Sequence, residues 1–259
     1  LGLSATPLRT KEDESLEEIF PNIEWGPYIA ELIRDGHLVA PVPFAPDSKA
    51  GLSTGRGWTV NEVQAQRDAV KLWKEQADGR RTIAFCKSTE ASFELAALFG
   101  RAGVRAAHVD GKTPDWKRQQ LLSALRAGDL QVLCNCDVLS EGFDEPLVSC
   151  VLLLRRMTAV RLYVQQVGRA LRPARGKRDC IVLDIVGATA RFGPLLGPPA
   201  SDYRWEQASR EGKKLKKKVW RCHACGGLSW REKWALRSTC TGCALQKRRD
   251  EARAADGRA

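Results

Sequence analysis

The chain of 259 residues carries 42 Lys and Arg against 31 Asp and Glu, a net charge of +11 at pH 7 that excludes an acidic or charge-balanced protein. Residues 1–200 hold 26 basic and 24 acidic side chains, whereas residues 201–259 hold 16 and 7, so the last quarter carries most of the excess. A hydrophobic fraction of 43% is ordinary for a globular protein. We therefore expect one full domain followed by a small basic one.

Membrane insertion and secretion are both disfavoured by the sequence. The longest apolar run, residues 148–154, is far shorter than the roughly 20 residues that a membrane-spanning helix needs. The chain begins without Met and without a signal-like segment, which favours a piece of a longer protein. Five of its nine cysteines lie in strand-like apolar runs. This usage favours a reducing, cytoplasmic setting, with no membrane partner.

The first 80 residues contain few strong signals. Short helical pieces are predicted at residues 16–20 and 28–35. They are followed by a segment at 39–57 that is rich in Pro, Gly and Ser, which predicts a connection between domains. A helix at 60–76 then leads into a region of alternating elements.

Beyond residue 80, short β-rich runs alternate with segments of helical length. The runs lie at residues 82–86, 104–109, 131–136, 148–154 and 180–185. Ser88 is the expected N-cap of one intervening helix and Gly103 its stop, while Thr113 and Gly128 have the same positions in the next. This alternation predicts βαβ units, hence an α/β fold with a parallel sheet and helices on both faces. Gly and Pro in residues 187–201 predict a linker after it.

The strongest local signal for chemistry is the segment QQVGRALR at residues 165–172. On a helix, Gln165, Arg169 and Arg172 at i, i+4 and i+7 would form one polar face. Two guanidiniums on one face suit a site where negative charge builds on a transferring phosphoryl group, as an arginine finger does. The segment alone leaves open the alternative of an ordinary surface helix with solvated arginines.

Three further segments accompany this one, and together they resemble superfamily 2 helicases, in the XPB-like DEAD/DEAH-type branch. Residues 3–7 (LSATP) resemble motif III, 82–86 motif IV, 132–146 motif V and 165–172 motif VI, in the family's order. The resemblance covers roughly residues 1–192, and its most specific pieces are EGFD at 141–144 and Q-x-x-G-R-x-x-R. It implies a RecA-like fold and an ATP-dependent helicase.

The resemblance implies roles for individual residues of these motifs. Gln165, Arg169 and Arg172 would be catalytic, with both arginines meeting the γ-phosphate of ATP. The residues that would contact the nucleotide are Gly142, Asp144 and Gly168. Asp144 would meet the ribose, and Gly142 would allow close approach of the backbone. The residues that would couple nucleotide state to domain movement are Ser4, Ala5 and Thr6.

Nucleic-acid contacts are implied for Lys87 and Ser88, which directly follow a predicted strand. A charged loop and a helix cap without a ligand are the alternative. Cys136 departs from the family, because motif V usually has Thr before Asp137 and a thiol is a poorer hydrogen-bond donor than a hydroxyl. This substitution weakens the case for a phosphate contact there. The cysteines predicted to be buried strand thiols without a metal or redox role are Cys86, Cys134, Cys150 and Cys180.

The chain has no Walker A motif and no acidic DExx motif for Mg²⁺, both of which would precede motif III. Residues 111–113 (GKT) resemble the end of a P-loop, but Ala106 stands where Gly is required and Pro114 removes a backbone donor. We therefore expect an N-terminal RecA-like ATPase domain, in the same full-length chain or in trans, to hold ATP and Mg²⁺. The chain alone would be an incomplete ATP hydrolase.

Two close pairs of cysteines in the basic tail predict a Zn²⁺ site. Cys222-x-x-Cys225 is followed, after 14 intervening residues, by Cys240-x-x-Cys243. Four thiolates can close a tetrahedral zinc site, as in zinc ribbons. The alternative is four free or disulfide-bonded thiols. It is disfavoured because so small and polar a tail needs a stabilising metal ion to fold.

Basic and aromatic residues surround the zinc pairs. The candidate nucleic-acid contacts are Lys216, Lys217, Lys218 and Arg221, with Trp220, Trp230 and Trp234 interleaved. Cations give salt-dependent affinity for phosphates, and exposed aromatic rings can stack on unpaired bases. The alternative is a solvated linker with the tryptophans in the small core of the ribbon.

The sequence therefore predicts five regions. They are the end of a first motor domain and a connection at 1–58, a RecA-like domain at 59–192, a basic linker at 193–219, a zinc ribbon at 220–247 and a tail at 248–259. The predicted function is the C-terminal half of an ATP-dependent DNA or RNA helicase or translocase. A non-catalytic nucleic-acid-binding module with a RecA-like scaffold is the alternative. A Rossmann oxidoreductase is excluded, because no G-x-G-x-x-G follows a strand.

Overall fold

The structure is a computed structural model. It describes residues 26–27, 29–46, 62–139, 144–157, 159–193 and 195, together with the backbone of 218–221 and 228–231. The helices are α1 (Ile29–Arg34), α2 (Glu62–Gln76), α3 (Thr89–Arg101), α4 (Asp115–Ala127), α5 (Val160–Gly168) and α6 (Ala188–Phe192). The strands are β1 (Ala40–Phe44), β2 (Thr82–Phe85), β3 (Ala106–Val109), β4 (Val132–Asn135), β5 (Cys150–Leu153), β6 (Asp179–Asp184), β7 (Lys218–Arg221) and β8 (Leu228–Arg231).

Six strands form one sheet in the order β1-β6-β5-β2-β4-β3, and every pair of neighbours is parallel. Parallel sheets need both faces covered, and the strands here are accordingly apolar along almost their whole length. The predicted α/β fold with a parallel sheet and flanking helices is confirmed.

Helices cover both faces of the sheet and create two core layers. On one face, Trp73 of α2 meets Phe99 of α3 edge to face at 5.5 Å between ring centroids, and its indole N–H donates to Thr82 Oγ1 at 2.7 Å. On the other face, Leu125 of α4 and Tyr163 of α5 are buried against the alternate residues of the same strands. The two layers fix the loops at both ends of the strands.

Strand β1 was not predicted, and the expectation of a connecting segment is wrong for residues 40–44. These residues pair in parallel with β6 and are all buried. Pro41 and Pro43 disguise the strand, since proline lacks an N–H and is depleted in sheets. Successive residues of a strand direct their N–H groups to opposite sides, so Pro41 and Pro43, which are two residues apart, leave the same side of β1 without donors. An edge strand tolerates this on its open side.

Helix capping follows the prediction at one helix and departs from it at the next. Ser88 Oγ accepts from Ala91 N at 3.1 Å and caps α3, as predicted. The prediction that Thr113 caps α4 is wrong, because Pro114 occupies the N-cap position. The Thr113 hydroxyl instead donates to Asp110 Oδ1 at 2.9 Å and accepts from the Asp110 N–H at 3.0 Å, which closes the preceding turn.

Strands β7 and β8 form an antiparallel hairpin in the basic tail. Cys222 and Cys225 belong to the sequence that connects the two strands, and the positions of all four predicted zinc ligands lie outside the described residues. The predicted helical piece at 16–20 also lies outside them. Within the described part of the chain, every helix is too short or too polar to cross a membrane.

Candidate nucleotide and nucleic-acid sites

The helix that carries the Gln and Arg motif is shorter than predicted. Helix α5 ends at Gly168, Arg169 is its C-cap, and Arg172 follows in a turn, so the expectation that one helical face holds Gln165, Arg169 and Arg172 is wrong. The Ala170 N–H bonds to Val167 O and the Leu171 N–H to Gly168 O, a tighter pattern than in an α-helix. Pro173 follows directly, and the residue before a proline is disfavoured in helical geometry.

The turn brings Arg172 against Asp144, so that the two most specific motifs of the sequence meet. Arg172 donates through an Nη1 hydrogen to Asp144 Oδ1 at 2.5 Å, although the residues are 28 positions apart. Both side chains remain open to solvent. An exposed ion pair of this kind contributes at most about 1 kcal/mol to stability. Its constituents are thus available to a ligand at little energetic cost.

A network of further contacts fixes the backbone on both sides of this pair. Glu145, next to Asp144, is buried and accepts from Arg126 Nε at 2.7 Å. Lys177 Nζ donates to three backbone carbonyls, those of Pro146 at 2.8 Å, Val148 at 2.5 Å and Arg172 at 2.7 Å. The loop that carries Asp144 and the turn that carries Arg172 therefore share one lysine.

This network lies beside the amino ends of β5 and β6, because Val148 and Lys177 each precede their strand by two residues. A part-buried ion pair between Arg80 and Asp179 lies next to this network. Arg80 donates to Asp179 Oδ1 at 2.5 Å and to Ser149 O at 3.4 Å. Asp179 is only 2% exposed, so loss of Arg80 would leave a buried charge unpaired.

Lys87 and Ser88 lie at the opposite edge of the sheet, after the carboxyl end of β2. Lys87 forms an ion pair with Glu62 of α2, and the Ser88 hydroxyl is the cap of α3. Beside them is a cleft of about 430 Å³ among the carboxyl ends of β2, β5 and β6. The polar side chains that line the cleft are Glu62, Gln66, Lys87, Arg155 and Arg156. Ligands of open α/β sheets bind at this edge.

Asp137 and Arg155 connect two strand ends at the same edge. Asp137 follows β4 with a φ of 60°, in the left-handed region that few residues other than glycine adopt. Its carboxylate pairs with Arg155, which follows β5. Because β2 lies between β4 and β5, the pair spans the end of β2. Asp137 also lies beside half-buried Cys136, whose Sγ is 3.9 Å from Asp137 Oδ2.

The four cysteines predicted to be buried thiols are buried and free of disulfides: Cys86, Cys134, Cys150 and Cys180. Burial raises the pKa of Cys86 and of Cys150 to about 12, and it raises the pKa of Cys134 and of Cys180 as well. These thiols are therefore protonated and unreactive at neutral pH.

Several predicted site residues lie outside the described part of the chain: Ser4, Ala5, Thr6, Gly142, Lys216, Lys217, Cys222, Cys225, Cys240 and Cys243. For Lys218 and Arg221 the backbone alone is described, in β7. Three residues were missed from sequence, namely Arg155, Arg156 and Lys177. Arg155 and Arg156 come two and three residues after the end of β5, which is a signal that could have found them, whereas nothing local marks Lys177.

Residues 63–174 match the family described as the helicase conserved C-terminal domain. A 51.5 kDa protein of a Lactococcus phage is 29% identical over 238 residues, covering 88% of this chain and 52% of that protein. The protein irc3 of Schizosaccharomyces pombe, named as a mitochondrial ATP-dependent helicase, is 30% identical over 211 residues, covering 76% of this chain and 34% of that protein. The chain thus spans about half or less of these relatives.

Solved structures share the fold. A fragment of a protein assigned as an HsdR subunit of a type I restriction enzyme from Vibrio vulnificus aligns with a TM-score of 0.58 at 22% identity, over 76% of this chain and 42% of that one. The ATP-dependent Type ISP restriction-modification enzyme LlaBIII, bound to DNA, aligns with a TM-score of 0.50 at 19% identity, over 70% of this chain and 15% of that one. At these identities the likeness concerns the fold.

Proposed function

We propose that this chain is the C-terminal motor half of an ATP-dependent DNA or RNA helicase or translocase of superfamily 2, in the XPB-like branch. The observation that carries the proposal is the contact between Asp144 and Arg172. This contact joins two motifs that, by the family resemblance, would bind the nucleotide, and its two residues are 28 positions apart. A non-catalytic domain would need neither side chain at these positions, because an exposed ion pair contributes little to stability.

ATP would bind between this domain and an N-terminal RecA-like domain. Asp144 would leave Arg172 for the ribose hydroxyls, and Arg172 and Arg169 would then meet the γ-phosphate as negative charge builds on it. Gln165 lies one helical turn before Arg169 on α5, within reach of the same region. Closing and reopening of the two domains, coupled through Ser4, Ala5 and Thr6, would move the chain along a strand.

Mg²⁺ would be held mainly by the N-terminal domain. Within the residues that the structure describes, no three His, Cys, Asp or Glu side chains converge in a way that could hold a metal ion. What this chain would offer the γ-phosphate is cationic, namely Arg169 and Arg172. Such a division suits a composite site in which one domain supplies the metal and the other neutralises the transferring phosphoryl group.

The nucleic acid would contact the carboxyl edge of the sheet and the basic tail. Lys87 and the α3 N-terminus capped by Ser88 lie at that edge, and Arg155 and Arg156 add two cations beside the cleft. In the tail, Lys216, Lys217, Lys218 and Arg221 would add salt-dependent affinity for phosphates. The site for ATP and the site for nucleic acid would then lie at opposite ends of the strands.

A zinc ribbon would stabilise the tail. Support comes from the β7–β8 hairpin, since the pair Cys222 and Cys225 falls between its two strands in the sequence. Cys240 and Cys243 would complete the tetrahedron. Metal analysis of the freshly purified protein should give about one zinc per chain, with loss of zinc on substitution of Cys225 by Ser. Protein that is folded and free of zinc would reject the ribbon.

The proposed function is tested on the full-length protein by ATP hydrolysis with and without nucleic acid. Turnover should be slow with protein alone and should rise at least about tenfold on addition of single-stranded or duplex DNA or RNA. The polymer that gives the greater stimulation identifies the substrate. Equal rates with and without nucleic acid, combined with intact binding, would instead favour the non-catalytic nucleic-acid-binding module.

A further inference from the structure

Lys177 makes an unusual set of contacts for a lysine. Its ammonium group donates to three backbone carbonyl oxygens at 2.5 to 2.8 Å, those of Pro146, Val148 and Arg172. An ammonium has three N–H donors, so all of them are used. Charge-assisted hydrogen bonds of this length are about twice as strong as neutral ones. Three such bonds on one atom fix the relative positions of the backbone segments that accept them.

Those segments are the two halves of the proposed nucleotide site. Pro146 and Val148 follow Asp144 by two and four residues, and Arg172 itself supplies the third carbonyl. The guanidinium of Arg172 contacts Asp144, while its carbonyl contacts Lys177. Removal of the ammonium would release the turn at Arg172 from the loop at Asp144. The exposed ion pair between Arg172 and Asp144 would remain.

The surroundings of Lys177 are half-buried and contain both signs of charge. Burial lowers the pKa of Lys177 to about 8; Arg80 and Arg172 also lower it, while Cys180 and Glu145 raise it. Glu145 is itself paired with Arg126 on α4, and Arg80 with Asp179 on β6. Burial therefore makes the charge of Lys177 costly, and its contacts to the three carbonyls, together with the nearby Glu145 carboxylate, offset that cost.

We propose that Lys177 is a positioning residue of the nucleotide site, whose ammonium holds the turn of Arg172 at a fixed distance from the loop of Asp144. The proposal rests on the proposed function, in which Arg172 meets the γ-phosphate. An arginine finger contributes to catalysis only in the correct geometry, and displacement by about 1 Å can cost about a hundredfold in rate. Lys177 would act through Arg172 and would not touch the nucleotide.

The test compares Lys177→Met with Lys74→Met in the full-length protein. Lys74 is a matched control, because its ammonium also donates to a backbone carbonyl, that of Ala102 at 2.7 Å, but on the exposed surface of α2. Lys177→Met should lower kcat for nucleic-acid-stimulated ATP hydrolysis by about tenfold or more, with a smaller change in KM. Lys74→Met should stay within about twofold of the parent protein. An unchanged kcat in Lys177→Met would overturn the proposal.

A second comparison separates positioning from a general loss of stability. Arg172→Ala and the double variant with Lys177→Met should have the same turnover, since Lys177 has nothing left to position. An equal loss from Lys177→Met in both backgrounds would show a merely structural role and overturn the proposal. If Arg172→Ala itself retains full turnover, the assigned role of Arg172 fails, and the positioning role of Lys177 fails with it.

The pH dependence gives a readout that needs no truncation of the lysine. Above about pH 8 the neutral amine of Lys177 keeps two N–H donors for three carbonyls, so kcat of the parent protein should fall as pH rises through 8. Lys177→Arg keeps its charge throughout this range, because a guanidinium stays protonated at far higher pH. A folded Lys177→Arg variant should lack that decline. Identical pH profiles in the two proteins would contradict the proposal.

Discussion

Position 168 is a glycine, although none of the described residues occupies the space that a side chain there would fill. A Cβ built there would meet nothing within 4 Å among the described residues, and the backbone is helical. Packing against the described residues therefore does not explain the glycine. Close approach of a nucleotide or of a partner domain would explain it, because Gly168 directly precedes Arg169.

Substitution of Gly168 by Ala should separate stability from activity. The free energy of unfolding should stay the same or rise by up to about 1 kcal/mol, because alanine is the better helix former. ATP turnover of the full-length protein should fall about tenfold or more, because the methyl group would occupy space that the proposed ligand needs. Urea unfolding and steady-state hydrolysis measure the two effects.

Gly100→Ala is the matched control for this change. Gly100 is also helical, near the end of α3, and a Cβ there also meets nothing within 4 Å. It should show the same effect on stability with no change in turnover. If Gly168→Ala behaved like Gly100→Ala in both assays, the proposed approach of a ligand at Gly168 would be wrong.

Sequence motifs single out Asp144 and Arg172 as candidate site residues, and the structure brings the two side chains into contact. Their mutual contact could not be predicted from sequence, because it depends on the turn that follows α5. Lys177 could not be found either, since it donates to backbone carbonyls, which every sequence offers. A contact between a side chain and a distant backbone carbonyl requires no particular residue type at the accepting position, so the sequence contains no pattern that predicts it.

At the scale of elements, β1 extends the sheet beyond the segment that sequence analysis assigned to the RecA-like domain. It lies within the predicted 1–58 region, yet it pairs with β6, and Val42 and Phe44 belong to the core layer of α2 and α3. Strands β2 to β6 could be predicted because apolar runs alternate with helix-length segments. The prolines of β1 concealed the same apolar character.

The contribution of β1 is tested by Val42→Asp, with Val63→Asp as control. Val42 is 4% exposed in β1, whereas Val63 is 58% exposed on α2. A buried, unpaired carboxylate should lower the free energy of unfolding by about 3 kcal/mol or more, and the exposed one should change it by less than about 0.5 kcal/mol. Urea denaturation of this chain gives both values. Equal, small effects would place Val42 outside the folded core.

At the scale of the whole molecule, two groups of charged residues lie at opposite ends of one sheet. Asp144, Arg172 and Lys177 lie beside the amino ends of β5 and β6, and Lys87 and Arg155 follow the carboxyl ends of β2 and β5. The strands between them connect the proposed sites for ATP and nucleic acid rigidly. The net charge of the chain is concentrated elsewhere, in the tail. In the proposed function, the basic tail adds affinity for nucleic acid, while Arg169 and Arg172 act on the nucleotide.

The most direct measurement of the central claim is kcat for ATP hydrolysis by the full-length Arg169→Ala variant at saturating nucleic acid. Arg101→Ala, at an exposed arginine in the last turn of α3, is the control. The account predicts that Arg169→Ala loses about a thousandfold in kcat, as expected for an arginine finger, while it still binds nucleic acid and Arg101→Ala keeps full turnover. Turnover of Arg169→Ala within about threefold of the parent protein would contradict the account.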